Sequence, residues 1–214
     1  SLYNEVRHAA RVSLQEHGVE VLYEDDAIIV VNKKSGLPVV GTGKSAGRAV
    51  NIDKKGSKAS LNSQRKEVTV YSILCDYIRT KNHADRMSAS ERLPWRPNNV
   101  FVVHRLDRDT SGLTVIAKHL ISSSILSSMG ARHEIKREYL AIVRGSVTPP
   151  SGTIDAPLAR TGSSMIERKV DFEHGERAVT HYKVLERFKN ATYVECRLET
   201  GRTHQIRAHL ASVG

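Results

Sequence analysis

The 214-residue sequence is poor in cysteine and aromatic residues, and it contains no long apolar run. Its two cysteines, Cys75 and Cys196, are far apart and form no CxxC pair, which gives no support to a disulfide framework or a zinc site. No apolar stretch approaches the ~20 residues that span a bilayer, and the N-terminus lacks a secretory signal pattern. The sequence therefore predicts a soluble, cytoplasmic protein with reduced thiols.

Signatures for nucleotide cofactors and metals are lacking too. The chain has no GxGxxG and no GxxxxGK[ST] motif. His204 and His209 are five residues apart, which places them on different faces of a helix, and no Cys or acidic ligand joins them or His104 at a recognised spacing. Neither a cofactor nor a metal site is predicted, and a metal-dependent nuclease that uses these histidines is the least favoured interpretation.

Positive charge is what the chain has in excess. Lys and Arg number 33 against 23 Asp and Glu, a net charge of +10, which favours a polyanionic partner such as RNA or DNA. Aromatic residues make up only 5% of the chain, which argues against binding single strands mainly by stacking. Residues 41–66, the basic loop, are rich in Gly, Ser, Lys and Arg. This loop is predicted to be a flexible insertion, and both a phosphate-contacting arm and a merely solvated segment remain open.

Hydrophobic periodicity predicts an α+β fold with a largely antiparallel or mixed sheet. Helices are predicted over residues 2–17, 119–131 and 203–213, and an amphipathic helix is predicted in "VTVYSILCDYIRTKN" (68–82), whose apolar positions lie between residues 70 and 78. Residues 81–99 are predicted to be a loop. Strands are predicted over Val19–Tyr23, Ala27–Asn32, Val100–Val103, Leu113–Ala117, Tyr139–Arg144, Thr153–Leu158, Val179–Arg187 and Thr192–Leu198. We expect a helical arm over residues 1–20, followed by one domain over residues 21–214 that contains the basic loop.

Three segments concentrate polar side chains at predicted strand ends or turns. They are "HRLD" with Asp107, "KREYLAIVRG" with Tyr139, and "ETGRTHQIRAHL" with Arg207, where Thr203 is predicted to cap a helix. Each residue alone has a structural explanation, because an Asp often closes a turn, a Tyr often packs in a core and an Arg often extends to solvent. Together, a carboxylate, a phenol and a guanidinium could form a reactive site.

The same segments resemble the motifs of one known family. "HRLDRDTSGL" resembles the HRLDxxTSG catalytic motif of the RluA family of pseudouridine synthases. "YEDDAIIVVNKKSGLPV", "KREYLAIVRG" and "TGRTHQIRAHL" resemble that family's N-terminal, tyrosine and arginine motifs, in the family's order. The resemblance implies a bisected, mixed but mainly antiparallel sheet flanked by helices and loops. It also implies isomerisation of uridine to pseudouridine in structured RNA, either rRNA or tRNA, without cofactor or metal.

The resemblance assigns a function to three residues. Asp107 matches the catalytic aspartate, which either attacks C1′ of the ribose or assists proton loss at C2′ in a glycal route, and both routes stay open. Arg207 matches its ion-pair partner, which keeps the carboxylate ionised. Tyr139 matches the residue that stacks on the uracil and is a candidate for handling the C5 proton.

RNA contacts are implied for the neighbouring polar residues. Arg105 matches a position that enters the RNA helix and helps to turn the target nucleotide out. His104, Arg202 and His204 are expected to contact RNA as well. The alternative is a non-catalytic RNA-binding or ribosome-assembly module on the same scaffold.

The sequence departs from the family pattern in several places. Lys34 replaces the usual Pro, Arg137 stands where Lys is common, and the stretch from Gly41 to Asn99 is longer than in compact members. The sequence stops at "HLASVG", where the family continues, so we expect a C-terminally truncated domain with an exposed sheet edge, and a monomer when the protein is full length.

Overall fold

The computed structural model describes residues 2–41, 67–89, 98–162 and 167–213, and the chain divides into two compact units, residues 1–128 (unit 1) and 129–214 (unit 2). The helices are α1 (Leu2–Glu16), α2 (Val70–Ser88), α3 (Leu120–Ala131) and α4 (Gln205–Ser212). The strands are β1 (Val19–Glu24), β2 (Ile28–Lys33), β3 (Phe101–Val102), β4 (Gly112–Ala117), β5 (Arg137–Arg144), β6 (Ser151–Asp155), β7 (Leu158–Arg160), β8 (Arg168–Val170), β9 (Val179–Arg187) and β10 (Ala191–Leu198). The basic loop lies outside the described residues except for Gly41.

Unit 1 contains a four-stranded antiparallel sheet in the order β1-β2-β4-β3. β2 lies inside this sheet, and its β-branched sequence suits a strand that is paired on both sides. Ile29, Val31 and Lys33 alternate onto its buried face, and none of the three has exposed surface. The alternation therefore buries a lysine at the end of the strand.

Helix α2 begins at a capping box, in which Thr69 and Ser72 satisfy each other's backbone N–H groups. Its buried residues include Val70, Leu74 and Ile78, which confirms the predicted amphipathic helix around residues 70–78. Helix α1, which confirms the helix predicted over residues 2–17, packs against α2.

The predicted loop over residues 81–99 is wrong for its first part, because α2 continues to Ser88. Lys81 forms an ion pair with Glu24 at 2.6 Å, and the Asn82 amide donates to the side-chain oxygen of Asn98 at 3.0 Å. These polar residues stay helical because they have partners far away in the sequence. Local composition alone does not show those partners.

Unit 2 contains a second four-stranded antiparallel sheet, in the order β5-β10-β9-β6. One face of this sheet packs with α4 around a core cluster. The buried members of the core cluster are Val147, Ile154, Ala156, Tyr182, Val194, Cys196 and Leu210. Burial raises the pKa of the Cys196 thiol to about 11, so this cysteine is an inert part of the core.

The predicted strand Thr153–Leu158 is divided in two. β6 ends at Asp155, and β7 begins at Leu158, after Pro157, which has no N–H to donate to a ladder. β7 pairs with β8, a strand that the sequence did not predict, to form a two-stranded ribbon. The other predicted strands and helices are confirmed, β9 with the predicted ends and the rest with shifted ends. Every strand pair in the described part of the chain is antiparallel. The α+β fold class is thus confirmed.

Candidate active site

The segment between β3 and β4 carries the first group of candidate residues, and it belongs to unit 1. Asp107 is half-buried and Arg105 is exposed, while the intervening Leu106 is buried and anchors the segment. The Thr110 N–H donates to the Asp107 carbonyl at 3.1 Å, which closes a turn directly after the carboxylate.

Lys33 holds this turn from the buried side. Its Nζ donates to the carbonyls of Lys34 at 3.0 Å, Leu37 at 2.8 Å and Arg108 at 2.8 Å. Burial lowers the pKa of Lys33, and the Asp109 and Asp107 carboxylates oppose that change. Because an ammonium group has three donors and no acceptor, three carbonyls satisfy it.

Two further hydrogen bonds join the turn after β2 to the turn at Asp107. The Gly36 N–H donates to the Arg108 carbonyl at 2.9 Å, and the Ser35 hydroxyl donates to the Asp109 carbonyl at 2.8 Å. Gly36 has a φ of +87°, a left-handed conformation that favours glycine. The N-terminal motif therefore fixes the backbone on which Asp107 stands.

His104 is bound to the neighbouring strand. Its Nε2 accepts a hydrogen bond from the Val115 N–H of β4 at 3.0 Å, which places the proton of a neutral imidazole on Nδ1. One ring nitrogen thus anchors the segment to the sheet.

The tyrosine motif and the arginine motif are neighbours in unit 2. Tyr139 of β5 lies opposite Cys196 of β10, and its ring packs against the core cluster. Arg137 is two residues earlier on the same face, and its guanidinium lies so close to Gly201 that a Cβ there would overlap Nη1. A side chain at position 201 would therefore have to displace the end of the Arg137 side chain.

Gln205 organises the turn that leads into α4. Its buried side-chain oxygen accepts from the Thr200 hydroxyl at 2.8 Å and the Arg202 N–H at 2.9 Å. Its amide nitrogen donates to the Val179 carbonyl at 2.9 Å and the Thr180 hydroxyl at 3.0 Å. All four hydrogen-bonding positions of this carboxamide are used.

The predicted capping of α4 by Thr203 is wrong. The N-cap residue is His204, which has a left-handed backbone (φ 55°) and makes no side-chain capping bond. Arg207 is on the exposed part of α4, while the helix buries Gln205, His209 and Leu210.

Two other polar residues of this region have contacts within the fold. Arg202 forms an ion pair with Glu176, and its Nε donates to the Arg177 carbonyl at 3.1 Å. His209 is buried between the Thr180 hydroxyl at 2.9 Å and the Ala156 carbonyl at 2.8 Å, and burial lowers its pKa. In the described ranges, no three His, Cys, Asp or Glu side chains cluster as metal ligands would.

The candidate set is divided between the units. Asp107, Arg105 and His104 belong to unit 1, whereas Tyr139, Arg202, His204 and Arg207 belong to unit 2. In each unit a buried polar side chain holds a turn beside some of the candidates: Lys33 holds the turn at Asp107, and Gln205 holds the turn before α4.

The sequence profile of a family described as RNA pseudouridylate synthase matches residues 27–212, a range that contains every candidate residue. The chain belongs to the RNA pseudouridylate synthase family. Within this family it resembles the ribosomal large subunit pseudouridine synthase D of Zymomonas mobilis, with 38% identity over 94% of this chain and 54% of the relative. It also resembles the uncharacterized RNA pseudouridine synthase YlyB of Bacillus subtilis, with 36% identity over 92% of this chain and 54% of the relative. The chain spans about half the length of these relatives.

A solved pseudouridylate synthase structure has the same fold. The human RNA Pseudouridylate Synthase Domain Containing 4 matches with a TM-score of 0.62 and 21% identity, over 98% of this chain and 69% of that one. None of the helices in the described ranges is long and apolar enough to cross a bilayer.

Two residues that organise this pseudouridylate synthase domain were missed in the sequence. For Lys33 a signal exists, because Ile29, Val31 and Lys33 follow the two-residue period of one strand face. For Gln205 we find no local signal, because its four partners depend on β9 and on the turn before α4.

Proposed function

We propose that this chain is the catalytic part of an RNA pseudouridine synthase that modifies specific uridines in structured RNA in the cytoplasm. Large-subunit ribosomal RNA is the proposed substrate, because several relatives are named ribosomal large subunit pseudouridine synthase D. One observation carries the proposal: within the family match, Asp107 stands on a turn that Lys33, Ser35 and Gly36 fix through backbone carbonyls. Such pre-positioning is what a reacting carboxylate requires.

In the proposed mechanism, Asp107 begins the reaction at the ribose. Its carboxylate attacks C1′, or it assists loss of the C2′ proton in the glycal route, and the N1–C1′ bond breaks in either case. Arg207 is proposed to pair with Asp107, because a guanidinium favours the ionised carboxylate in a desolvated site. Neither route calls for a metal or a cofactor.

Tyr139 is proposed to hold the freed uracil. A phenol ring stacks on the base while it turns, and C5 then forms the new bond to C1′. The C5 proton leaves and N1 gains a proton, so the product is an isomer of the substrate. The phenol oxygen is a candidate for the proton transfer at C5.

Arg105 is proposed to occupy the space that the target nucleotide leaves. It is exposed two residues before Asp107, and the target base must leave the stack before C1′ and C5 can be reached. His104, Arg202 and His204 are proposed as supporting RNA contacts. Arg202 would have to exchange its Glu176 partner for RNA.

The decisive test is Asp107→Asn in the full-length protein. We expect pseudouridine in a transcript of large-subunit ribosomal RNA to fall below detection, because an amide cannot replace the carboxylate, while RNA affinity stays within about threefold of wild type. Pseudouridine is measured by mass spectrometry of the digested transcript.

Asp109→Asn is the matched control, because Asp109 is an exposed carboxylate on the same turn and uses only its backbone carbonyl to bind Ser35. It should keep its activity. Turnover by Asp107→Asn would contradict the proposal, and a wild-type protein that binds the transcript without forming pseudouridine would favour the binding-only alternative.

A further inference from the structure

The ribbon of β7 and β8 places two arginines directly opposite each other. In its register Leu158 faces Val170, Ala159 faces Lys169 and Arg160 faces Arg168. Like charges that face each other on neighbouring strands destabilise the pair. The ribbon therefore keeps a repulsion that a neutral residue at either position would remove.

Neither arginine has a counter-ion in the described part of the chain. Arg160 is exposed and Arg168 is half-buried, and neither guanidinium makes a hydrogen bond or an ion pair with a described residue. The Nε of Arg168 is buried without an acceptor. A buried donor that has lost water and gained no partner is unfavourable, so this atom calls for an acceptor from outside the described chain.

Three other arginines of unit 2 form ion pairs with carboxylates. Arg177 pairs with Glu199, Arg197 pairs with Glu138, and Arg202 pairs with Glu176. Glu167, the residue before Arg168, accepts a hydrogen bond from the Thr161 hydroxyl. Among the described residues of unit 2, several arginines therefore have a carboxylate partner, whereas Arg160 and Arg168 have none.

The arginine pair stands on a fixed support. Because residues two apart share a strand face, Arg160 and Arg168 continue the face of Leu158 and Val170. Leu158 is buried and Val170 packs against the core cluster. β8 also packs against α4, the helix that carries Arg207.

We propose that Arg160 and Arg168 together bind a phosphate group of the RNA backbone. A phosphate between the two guanidiniums would neutralise their repulsion and give Arg168 Nε its acceptor, and arginine suits phosphate because its planar donors bind two oxygens at once. The site rests on the proposed function, since it assumes an RNA substrate. It adds an RNA contact on a ribbon that contains none of the catalytic candidates.

The test measures how RNA binding depends on salt. The full-length protein and its R160Q/R168Q double variant are titrated into a fluorescent transcript of large-subunit ribosomal RNA over a series of KCl concentrations. Each phosphate contact contributes roughly 0.7–0.9 to the slope of log K against log salt. We expect the double variant to lose about 0.7–0.9 of this slope, the contribution of one phosphate, with a melting temperature equal to or above that of wild type.

Two controls separate charge from structure. R160K/R168K keeps both charges and should retain the wild-type slope. R197Q removes an arginine that Glu138 already neutralises, so its slope should also match wild type. If R160Q/R168Q keeps the wild-type slope, the proposed site is wrong, even if the affinity of this variant falls. The proposed site is also wrong if R197Q lowers the slope as much as R160Q/R168Q does.

Pseudouridine formation by the wild-type protein is measured in the same transcript. A wild-type protein that makes pseudouridine, while the double variant keeps its slope, contradicts the arginine pair alone. A wild-type protein that neither binds nor modifies the transcript contradicts the proposed function first.

Discussion

In unit 1 an ammonium group holds the turn that carries Asp107, whereas in unit 2 a carboxamide holds the turn that precedes Arg207. Lys33 donates to three carbonyls, one of which belongs to Arg108. Gln205 accepts two hydrogen bonds and donates two. Both side chains are buried and both reach across long sequence separations.

The difference follows from what each turn presents. The turns at residues 34–37 and 107–110 present carbonyl oxygens, and an ammonium group offers three donors for them. The turn before α4 presents a hydroxyl, an N–H, a carbonyl and a second hydroxyl, and a carboxamide matches this mixed set. Because burying a charge is more costly than burying an amide, unit 1 should be more sensitive to losing its polar side chain.

The largest effect on stability is expected for Lys33→Met. Methionine fills a similar volume, but three carbonyls lose their donor, which should reduce the free energy of unfolding by about 2–4 kcal/mol. Pseudouridine formation should fall too, because the backbone beside Asp107 loosens. Urea denaturation gives the stability, and hydrogen exchange should show the loss in unit 1.

Lys34→Met is the matched control for that change. Lys34 is the exposed neighbour, and its replacement should change the free energy of unfolding by less than about 0.5 kcal/mol. If Lys33→Met and Lys34→Met lower the free energy of unfolding equally, the hydrogen bonds of Lys33 do not stabilise unit 1, and only the loss of a positive charge matters.

A smaller effect is expected for Gln205→Leu. Leucine has a similar size but leaves the Thr200 hydroxyl and the Arg202 N–H without their acceptor, which should cost about 1–3 kcal/mol. Hydrogen exchange should increase around β9 and α4 and stay unchanged in unit 1. Gln15→Leu, at an exposed position of α1, is the control. If Gln205→Leu lowers the free energy of unfolding more than Lys33→Met does, the proposed ranking of the two variants is wrong.

The smallest effect is expected from pH, through the network that continues from Gln205 to His209. Burial lowers the pKa of His209 below its ordinary 6.5, while the Ala156 carbonyl and the Asp155 carboxylate oppose the change. As pH falls below 6.5, the unfolded chain binds a proton that the folded His209 still excludes, so stability must decrease until folded His209 is protonated as well. The melting temperature should therefore fall more between pH 7.5 and pH 5.5 for wild type than for His209→Asn. If it falls equally for both proteins, His209 does not cause the pH dependence.

Sequence patterns predicted the elements whose partners are implied by their own periodicity. The long strands β9 and β10 and the start of α2 show a two-residue or 3.6-residue period. The end of α2 was missed because Lys81 is held by Glu24, which lies 57 residues away. β8 was missed because three residues with the sequence Arg-Lys-Val give no clear strand signal, and packing against α4 and the core cluster supports them instead.

The sequence by itself determined the order of the four motifs, the excess of positive charge and the identity of Asp107, Tyr139 and Arg207 as candidates. These features depend on residue type and spacing along the chain, which a sequence states directly. Tertiary structure alone decided that Lys33 reaches the carbonyl of Arg108, 75 residues away, and that Arg160 faces Arg168 without a described counter-ion. The physical reason is that burial and hydrogen-bond partners depend on which distant segments pack together, and local pattern does not contain that information.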